Sequence, residues 1–216
     1  STLLKMSHIS KSYPGVKAVN DVSIDLYAGE VLGLMGENGA GKSTLIKLLA
    51  GAEMMDAGEI YIDDQNISIN SPKESQENGV SVIYQELITM DTLSVAENIF
   101  VGQLPRKDKT RLVDWKTAQK KSSQVLSLLN SDINPKTIVS SLSIYEKQIV
   151  EIAKAIHKNA KILVMDEPTA ALSEKDSKSL FEVIDKLKNN GVGIIYISHR
   201  IEEVFSITDR ISVMRD

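Results

Sequence analysis

The chain has 216 residues, of which 42% are hydrophobic and 25% charged, and its formal net charge is −4. This balance excludes wholesale disorder and argues against a dedicated nucleic-acid binder, whose surface is usually basic. The absence of cysteine excludes disulfide frameworks, thiol catalysis and metal sites built on thiolates. No apolar run approaches the about 18 residues of a membrane span, and the N-terminus has no signal-peptide pattern, so we expect a reduced, cytoplasmic α/β protein.

The first third of the sequence has the pattern of strands around a glycine-rich turn. Residues 22–26 alternate apolar and polar side chains, which predicts a half-buried strand. The continuous apolar run 31–35 predicts a strand covered on both faces, and residues 43–50 predict a helix. The alternation around Ile60 and Ile62 predicts a short edge strand.

The middle of the chain, residues 85–142, is more polar and contains a charged loop followed by a predicted helix over 116–130. Both flanks continue one α/β pattern, so we interpret this stretch as a mainly helical insertion. The charged residues of the loop are Arg106, Lys107, Asp108, Lys109 and Arg111.

In the last third, helices and strands alternate. Apolar residues at helical spacing predict a helix over 149–156, and a second helix is expected between Ser173 as N-cap and Gly191 as terminator. The apolar runs 162–165 and 193–197 predict buried strands. Strands that alternate with helices in this way indicate a mostly parallel sheet.

Residues 36–43 read GENGAGKS and fit the phosphate-loop pattern G-x-x-x-x-G-K-[ST]. Gly39 and Gly41 leave backbone N–H groups free to approach a polyphosphate, and the following helix presents its positive end. Lys42 adds a charge at the β and γ phosphates, and Ser43 offers a hydroxyl to Mg²⁺. The motif lies between a predicted strand and a predicted helix, which strongly indicates nucleotide binding.

Two carboxylates, Asp166 and Glu167, follow the predicted buried strand 162–165. Strand ends are where open α/β sheets bind their ligands. Asp166 suits Mg²⁺, and Glu167 is positioned to polarise an attacking water. We expect the two side chains to point in different directions from an extended backbone.

These motifs occur in an ordered series that covers almost the whole chain and resembles the ATP-binding domain of ABC transporters. The series consists of the phosphate loop at 36–43, Gln85 in VIYQEL, LSIYEKQ at 142–148, LVMDEPTAALS at 163–173 and YISHR at 196–200. Several sequence details, including LSI for LSG and SHRIEEVF, are similar to the sugar-uptake branch, whose members import ribose, galactose or xylose.

The resemblance implies a P-loop NTPase core with a mostly parallel sheet, an N-terminal antiparallel β subdomain and a helical insertion. The core would comprise about 1–84 and 160–216, and the helical subdomain about 85–159. Proteins of this branch carry two such domains in one chain, so we expect this chain to be the first half of a longer one.

The resemblance also implies ATP as ligand, Mg²⁺ as cofactor and a role for each motif. Glu167, His199 and Gln85 would be catalytic, and His199 would contact the γ phosphate beside the two carboxylates. Tyr13 would stack on adenine, the alternative being an aromatic packed at a sheet edge. Metal contacts would come from Ser43, Gln85 and Asp166. The nucleotide would contact Tyr13, Gly36, Asn38, Gly39, Ala40, Gly41, Lys42, Ser43 and Thr44, and Ser143 would act in trans on the nucleotide of a partner domain.

The sequence departs from the family pattern at this partner-facing segment. Ile144, Tyr145 and Glu146 stand where common members carry two glycines and a glutamine. Tyr145 puts a bulky side chain on backbone that should touch phosphate. Ser173 replaces an aspartate often found there, which weakens the expected contact between domains.

The expected partners are a second ABC domain, an integral-membrane permease and, indirectly, a solute-binding protein, at the cytoplasmic face of the membrane. We expect no nucleic acid. One alternative is a soluble ABC ATPase acting on nucleic acid or ribosomes, which only the charged loop at 106–111 favours. Another is a module that binds nucleotide without hydrolysis, against which Glu167 and His199 argue.

Overall fold

The computed structural model describes residues 1–107 and 112–215. These residues form two compact units. The first unit consists of Ser1–Val82, Ala160–Glu167 and Ile184–Asp216, and the second of Ile83–Asn159 and Pro168–Val183.

Most of the strands precede the helical middle of the chain, and the others alternate with helices after it. In chain order they are β1 (Thr2–Tyr13), β2 (Val16–Tyr27), β3 (Val31–Gly36), β4 (Ala57–Ile62), β5 (Gln65–Ile67), β6 (Val80–Ile83), β7 (Ile162–Asp166), β8 (Gly193–Ile197) and β9 (Arg210–Met214). The helices are α1 (Lys42–Leu49), α2 (Pro72–Glu77), α3 (Val95–Ile99), α4 (Trp115–Leu128), α5 (Ile144–His157), α6 (Glu174–Asn189) and α7 (Ile201–Ile207), with a 3₁₀ turn at Val139–Ser141.

The N-terminal strands form an antiparallel sheet in the order β2-β1-β4-β5. The prediction that the strand at Ile60 and Ile62 lies at an edge is wrong, because β4 pairs with β1 on one side and with β5 on the other. Asp63 and Asp64 both have positive φ, 51° and 61°, and join β4 to β5 in a two-residue turn. Such turns usually carry glycine or asparagine, so the pair of aspartates was a weak signal for the extra strand.

The second sheet has the order β6-β7-β8-β3-β9, and the pairs β7–β8, β8–β3 and β3–β9 are parallel. The predicted strands 31–35, 162–165 and 193–197 are confirmed, and all three are buried because they lie inside this sheet. Parallel neighbours end at the same edge of a sheet. The residues that follow β3, β7 and β8 are therefore brought side by side.

One hydrophobic cluster connects both sheets of the first unit to α1. It includes Leu4 and Ile9 of β1, Leu34 of β3, Leu45 of α1 and Val164 of β7, all buried. Burying such side chains stabilises the fold by about 1.5–3 kcal/mol each. The start of α1 is thus fixed to the sheet that carries the strand ends.

The second unit consists mainly of helices, among which α3, α4 and α5 pack on one another. The predicted helices over 116–130 and 149–156 are confirmed as α4 and α5. Ser173 accepts a hydrogen bond from the Asp176 N–H at 3.2 Å, so the predicted N-cap is confirmed too. In the charged loop, Arg106 and Lys107 are described, whereas Asp108, Lys109 and Arg111 lie outside the described residues.

Within 1–107 and 112–215, the helices are all too short or too polar to cross a bilayer.

Candidate nucleotide-binding site

The phosphate-loop motif forms a turn between the end of β3 and the start of α1. Gly41 precedes α1 with φ 87°, and no side chain caps the helix there. The N–H groups of the first helical turn therefore have no side-chain acceptor of their own and are oriented toward the loop. This is the arrangement that binds phosphate oxygens.

The two inner glycines of the loop are required for different reasons. A Cβ on Gly41 would lie 2.1 Å from the backbone oxygen of Ala18 in β2, whereas a Cβ on Gly39 would meet nothing within 4 Å. Both residues have positive φ, 87° and 97°. Glycine is therefore required at position 41 by both packing and the positive φ, and at position 39 by the positive φ alone.

We predict that Gly41→Ala lowers the free energy of unfolding by about 2–4 kcal/mol, because it adds a clash to backbone strain. Gly39→Ala is the matched control and should cost only the strain, about 1–2 kcal/mol. Urea unfolding of both variants measures the difference. Equal losses would mean that the contact with Ala18 relaxes without cost.

The Lys42 side chain turns back over the loop. Its Nζ donates to the backbone oxygens of Gly36 at 2.6 Å and of Glu37 at 2.9 Å. A positive charge is thereby held against the uncapped helix start, where the β and γ phosphates of a nucleotide would lie.

Asp166 and Glu167 lie at the adjacent strand end, and the backbone changes direction between them. Asp166 is the last residue of β7, and Glu167 has a left-handed conformation with φ 47°. The Glu167 N–H donates to the Ile197 oxygen at 2.9 Å, which pins the turn to β8. The expectation that the backbone stays extended through both residues is therefore wrong, because the strand ends at Asp166. Strained conformations of this kind occur at functional sites.

His199 follows β8 and contacts the second carboxylate. Its Nδ1 lies 3.0 Å from Glu167 Oε1, with 27% of the Glu167 side chain exposed. The contact requires a proton on Nδ1 when Glu167 is ionised. The loop residues Gly36 and Glu37 line a cleft of about 630 Å³ together with His199. The phosphate loop and His199 thus line the same cleft.

Sequence reasoning missed the residues that hold the turn of His199. Ser198 Oγ accepts from the Arg200 N–H at 3.0 Å, and Arg200 contacts Glu203 at 2.6 Å. Glu203 also accepts a hydrogen bond from the Tyr196 hydroxyl at 3.1 Å. A serine two residues before the bonded N–H is a known turn signal, so Ser198 was open to prediction.

The surroundings of Asp166 disfavour the charged form of its carboxylate. Burial raises the pKa of Asp166, the charge of Glu167 raises it further, and Lys42 opposes both. The ionised carboxylate therefore carries a free-energy cost in the folded protein that the unfolded chain does not have.

We predict that Asp166→Asn raises the melting temperature by a few degrees at about pH 7. The difference should disappear at about pH 3, where Asp166 is protonated in both the folded and the unfolded state. Circular dichroism at both pH values measures it, with the exposed Asp185→Asn as control. A lower melting temperature of Asp166→Asn at pH 7 would contradict the free-energy cost assigned to the ionised Asp166 carboxylate.

The oxygen donors fit a magnesium ion. The hydroxyl of Ser43 in α1 and the carboxylate of Asp166 are hard ligands of the kind that Mg²⁺ takes. No cluster of three or more acidic or histidine side chains suited to a metal occurs in the described part of the chain. A magnesium ion held by these two residues would draw its remaining ligands from phosphate and water.

The other predicted nucleotide contacts of the first unit lie on or near the loop, except Tyr13. Asn38 is exposed, Ala40 is buried and Thr44 is half-buried. Tyr13 ends β1 with 37% of its surface exposed, and Lys11 Nζ lies 5.6 Å from its ring centre. The Lys11 ammonium thus lies over one face of the Tyr13 ring.

Gln85 and Ser143 belong to the second unit. Gln85 is exposed shortly after β6, and Ser143 is the exposed N-cap of α5. Their roles toward a nucleotide stay predictions.

Comparison with known proteins agrees with the site. The profile of the ABC transporter family matches residues 19–170, which include the phosphate loop and both carboxylates. The chain belongs to the ABC transporter family. The resemblance inferred from its ordered motifs is therefore confirmed.

Relatives within the ABC transporter family carry names from sugar import. The ribose import ATP-binding protein RbsA of Clostridium perfringens (strain SM101 / Type A) is 47% identical over 214 residues. The ribose import ATP-binding protein RbsA 1 of Burkholderia cenocepacia (strain HI2424) is 49% identical over 217 residues. Each match covers 99% of this chain but only 43% and 42% of the relative. The chain thus spans less than half the length of these ABC proteins.

Among solved structures, a nucleotide-free ATP-binding cassette from an ABC transporter is similar with a TM-score of 0.87 and 27% identity. The similarity covers 99% of this chain and 88% of that one. The predicted fold class, an α/β P-loop ATPase core with an antiparallel β part and helices, is confirmed.

Proposed function

We propose that this chain is the ATP-binding and hydrolysing part of an importer that moves a sugar or related small solute through a membrane permease. The observation that carries the proposal is the single sheet edge where the phosphate loop, Asp166–Glu167 and His199 meet. The names of the relatives support the solute class.

In this proposal the loop holds the triphosphate through its N–H groups and Lys42. Ser43 and Asp166 would hold Mg²⁺, which supplies charge neutralisation on the phosphates when bound. Glu167 is the general base and accepts the proton of the attacking water. His199 positions that carboxylate through the 3.0 Å contact. Its far ring nitrogen would be directed to the γ phosphate.

Three further residues have proposed roles toward the nucleotide and the metal. Tyr13 stacks on adenine, and Gln85 binds the metal and the attacking water. Ser143 acts in trans on the nucleotide of a second ABC domain. The greater length of the relatives supports such a second domain in the same protein.

The permease partner would lie at the membrane, with the ATPase at its cytoplasmic face. Ile88 and Met90 of the second unit are 64% and 48% exposed, which offers apolar surface to a protein partner. The import names favour transport over action on nucleic acid, and the Glu167–His199 pair supports hydrolysis over binding alone.

The test is reconstitution of the complete gene product in proteoliposomes with a candidate membrane permease from the same genome. We expect Mg-ATP to drive uptake of one of ribose, galactose or xylose, and Glu167→Gln to abolish it. Hydrolysis without a permease requirement, stimulated instead by RNA or ribosomes, would contradict the proposal.

A further inference from the structure

The sequence contains three asparagine–glycine pairs, which are Asn38–Gly39, Asn78–Gly79 and Asn190–Gly191. An asparagine before glycine can lose its side-chain amide spontaneously. The backbone nitrogen of the glycine, with no side chain beside it, attacks the side-chain carbonyl carbon of the asparagine. Because the reacting pair is the same at all three positions, the surrounding structure must decide where the reaction is fast.

The two later pairs each follow a helix, and the N–H groups of their glycines are hydrogen-bonded. Gly79 N–H donates to the Gln76 oxygen at 3.0 Å after α2, and Gly191 N–H donates to the Lys188 oxygen at 2.9 Å after α6. Such bonds are typical of helices that end in glycine. The attacking nitrogen must first leave its hydrogen bond, so the reaction at these pairs requires local opening of the helix end.

The first pair lies in the phosphate loop, where the N–H of the glycine is not used. A bond of 3.2 Å from the Ala40 N–H to the Glu37 oxygen closes the turn around the pair. Among the residues that the structure describes, none accepts a hydrogen bond from the Gly39 N–H. Asn38 and Gly39 are both exposed, and a Cβ at Gly39 would meet no atom within 4 Å. The reacting groups are therefore open to water and unhindered by neighbours.

Other differences between the pairs do not account for this contrast. The three glycines all have positive φ, 97° at Gly39, 81° at Gly79 and 85° at Gly191. Asn190 is exposed, as Asn38 is. The hydrogen bond of the glycine N–H therefore distinguishes the pair in the loop from the otherwise matched pair after α6.

We propose that Asn38 is a site of spontaneous deamidation and that the carboxylate so formed weakens the binding of phosphate by the loop. The Gly39 nitrogen forms a bond to the side-chain carbonyl carbon of Asn38, the bond from that carbon to the amide nitrogen breaks, and the Gly39 proton leaves with the amide as ammonia. Water then opens the cyclic imide by adding hydroxyl to one carbonyl carbon and returning a proton to the Gly39 nitrogen. The product is aspartate or, if the backbone carbonyl is attacked, isoaspartate.

The new negative charge would lie beside the cation of the loop. Lys42 Nζ donates to the backbone oxygen of Glu37, the residue just before Asn38, at 2.9 Å. A carboxylate at position 38 would compete with phosphate for this ammonium and for the positive start of α1. This second half of the proposal rests on the proposed function, whereas the deamidation itself does not.

The deamidation is measured by peptide mass spectrometry of the complete gene product, incubated without nucleotide at mildly alkaline pH. We expect Asn38 to convert about three- to tenfold faster than Asn190, the factor that corresponds to one hydrogen bond of ordinary strength. Asn78 should be slow as well. In concentrated urea, which removes both the loop and the helix ends, all three should convert at similar rates.

Two results would overturn the assignment of this site. One is an equal rate at Asn38 and Asn190 in the folded protein, because the free N–H of Gly39 would then make no difference. The other is the same preference for Asn38 in urea, because the preference would then come from the local sequence and not from the structure.

The effect on nucleotide binding is measured by calorimetry with Asn38→Asp, which carries the charge of the product. We expect the Kd for Mg-ATP to rise about three- to tenfold at low salt, the size of a charge effect at a helix terminus. High salt should reduce the difference, because it screens the added charge. Asn190→Asp adds the same charge at the end of α6 and should bind Mg-ATP normally.

The outcomes separate this proposal from the proposed function. If the unmodified protein binds Mg-ATP and Asn38→Asp binds it equally well, the effect assigned to the new carboxylate is overturned. If the unmodified protein does not bind Mg-ATP, the proposed function itself fails. The rates of deamidation still test the site at Asn38 in that case, because they are measured without nucleotide.

Discussion

Glu167→Gln is expected to reduce ATP turnover by about 10²–10⁴-fold while ATP affinity stays near normal. The glutamine fills the same space and keeps a hydrogen-bonding atom for His199, but it cannot accept a proton from water. Its backbone N–H still donates to Ile197, so the turn after β7 should survive.

Steady-state phosphate release from the complete gene product at saturating Mg-ATP measures this effect. Glu202→Gln is the control, because Glu202 is an exposed carboxylate in the first turn of α7. Turnover near the normal rate in Glu167→Gln would remove Glu167 from the mechanism.

Lys42→Ala is expected to weaken nucleotide binding by about 10–100-fold. The Lys42 ammonium is held over the loop by two backbone oxygens, and a charged hydrogen bond to phosphate contributes about 1.5–3 kcal/mol. Because this interaction forms in the ground state, affinity should suffer as well as rate.

Isothermal calorimetry with Mg-ATP tests the effect on affinity. Lys47→Ala, a change to an exposed lysine at the other end of α1, is the matched control and should bind normally. If the dissociation constant is unchanged in Lys42→Ala, Lys42 does not contribute to the binding of the phosphates, and the prediction is contradicted.

The parts of the fold that follow from local pattern were predictable from the sequence. Buried parallel strands appear as continuous apolar runs, which is why 31–35, 162–165 and 193–197 were found. The cap at Ser173 was found because a short polar side chain precedes an apolar helical stripe. The loop at 36–43 was found because its glycines and lysine are fixed by phosphate chemistry.

Other features depend on contacts that no local pattern contains. The sequence does not indicate that Gly41 faces the oxygen of Ala18, since the two residues meet only when β2 packs beside the loop. The left-handed turn at Glu167 is equally unpredictable, because a bond to Ile197 in another strand holds it. Asp63 and Asp64 formed a hairpin turn without glycine, and β5 was missed for that reason.

The segment at 142–148, which is expected to face a partner domain, could be predicted from the sequence only in part. The sequence showed that Tyr145 and Glu146 replace residues common in the family, and the bulk of Tyr145 was the expected obstacle. The structure adds the bond from Ser143 to the Glu146 carboxylate, which closes a capping box at the start of α5. Capping boxes have a sequence signature, so this bond was open to prediction from Ser143 and Glu146 alone.

The position of bound nucleotide decides whether the sheet edge is the catalytic site. A crystal structure of the complete gene product carrying Glu167→Gln, grown with Mg-ATP, should hold the triphosphate in the loop of residues 36–43. Lys42 should contact the β and γ phosphates, and the metal should lie between Ser43 and Asp166. A nucleotide bound elsewhere in the first unit, with this loop free of phosphate, would contradict the proposed site.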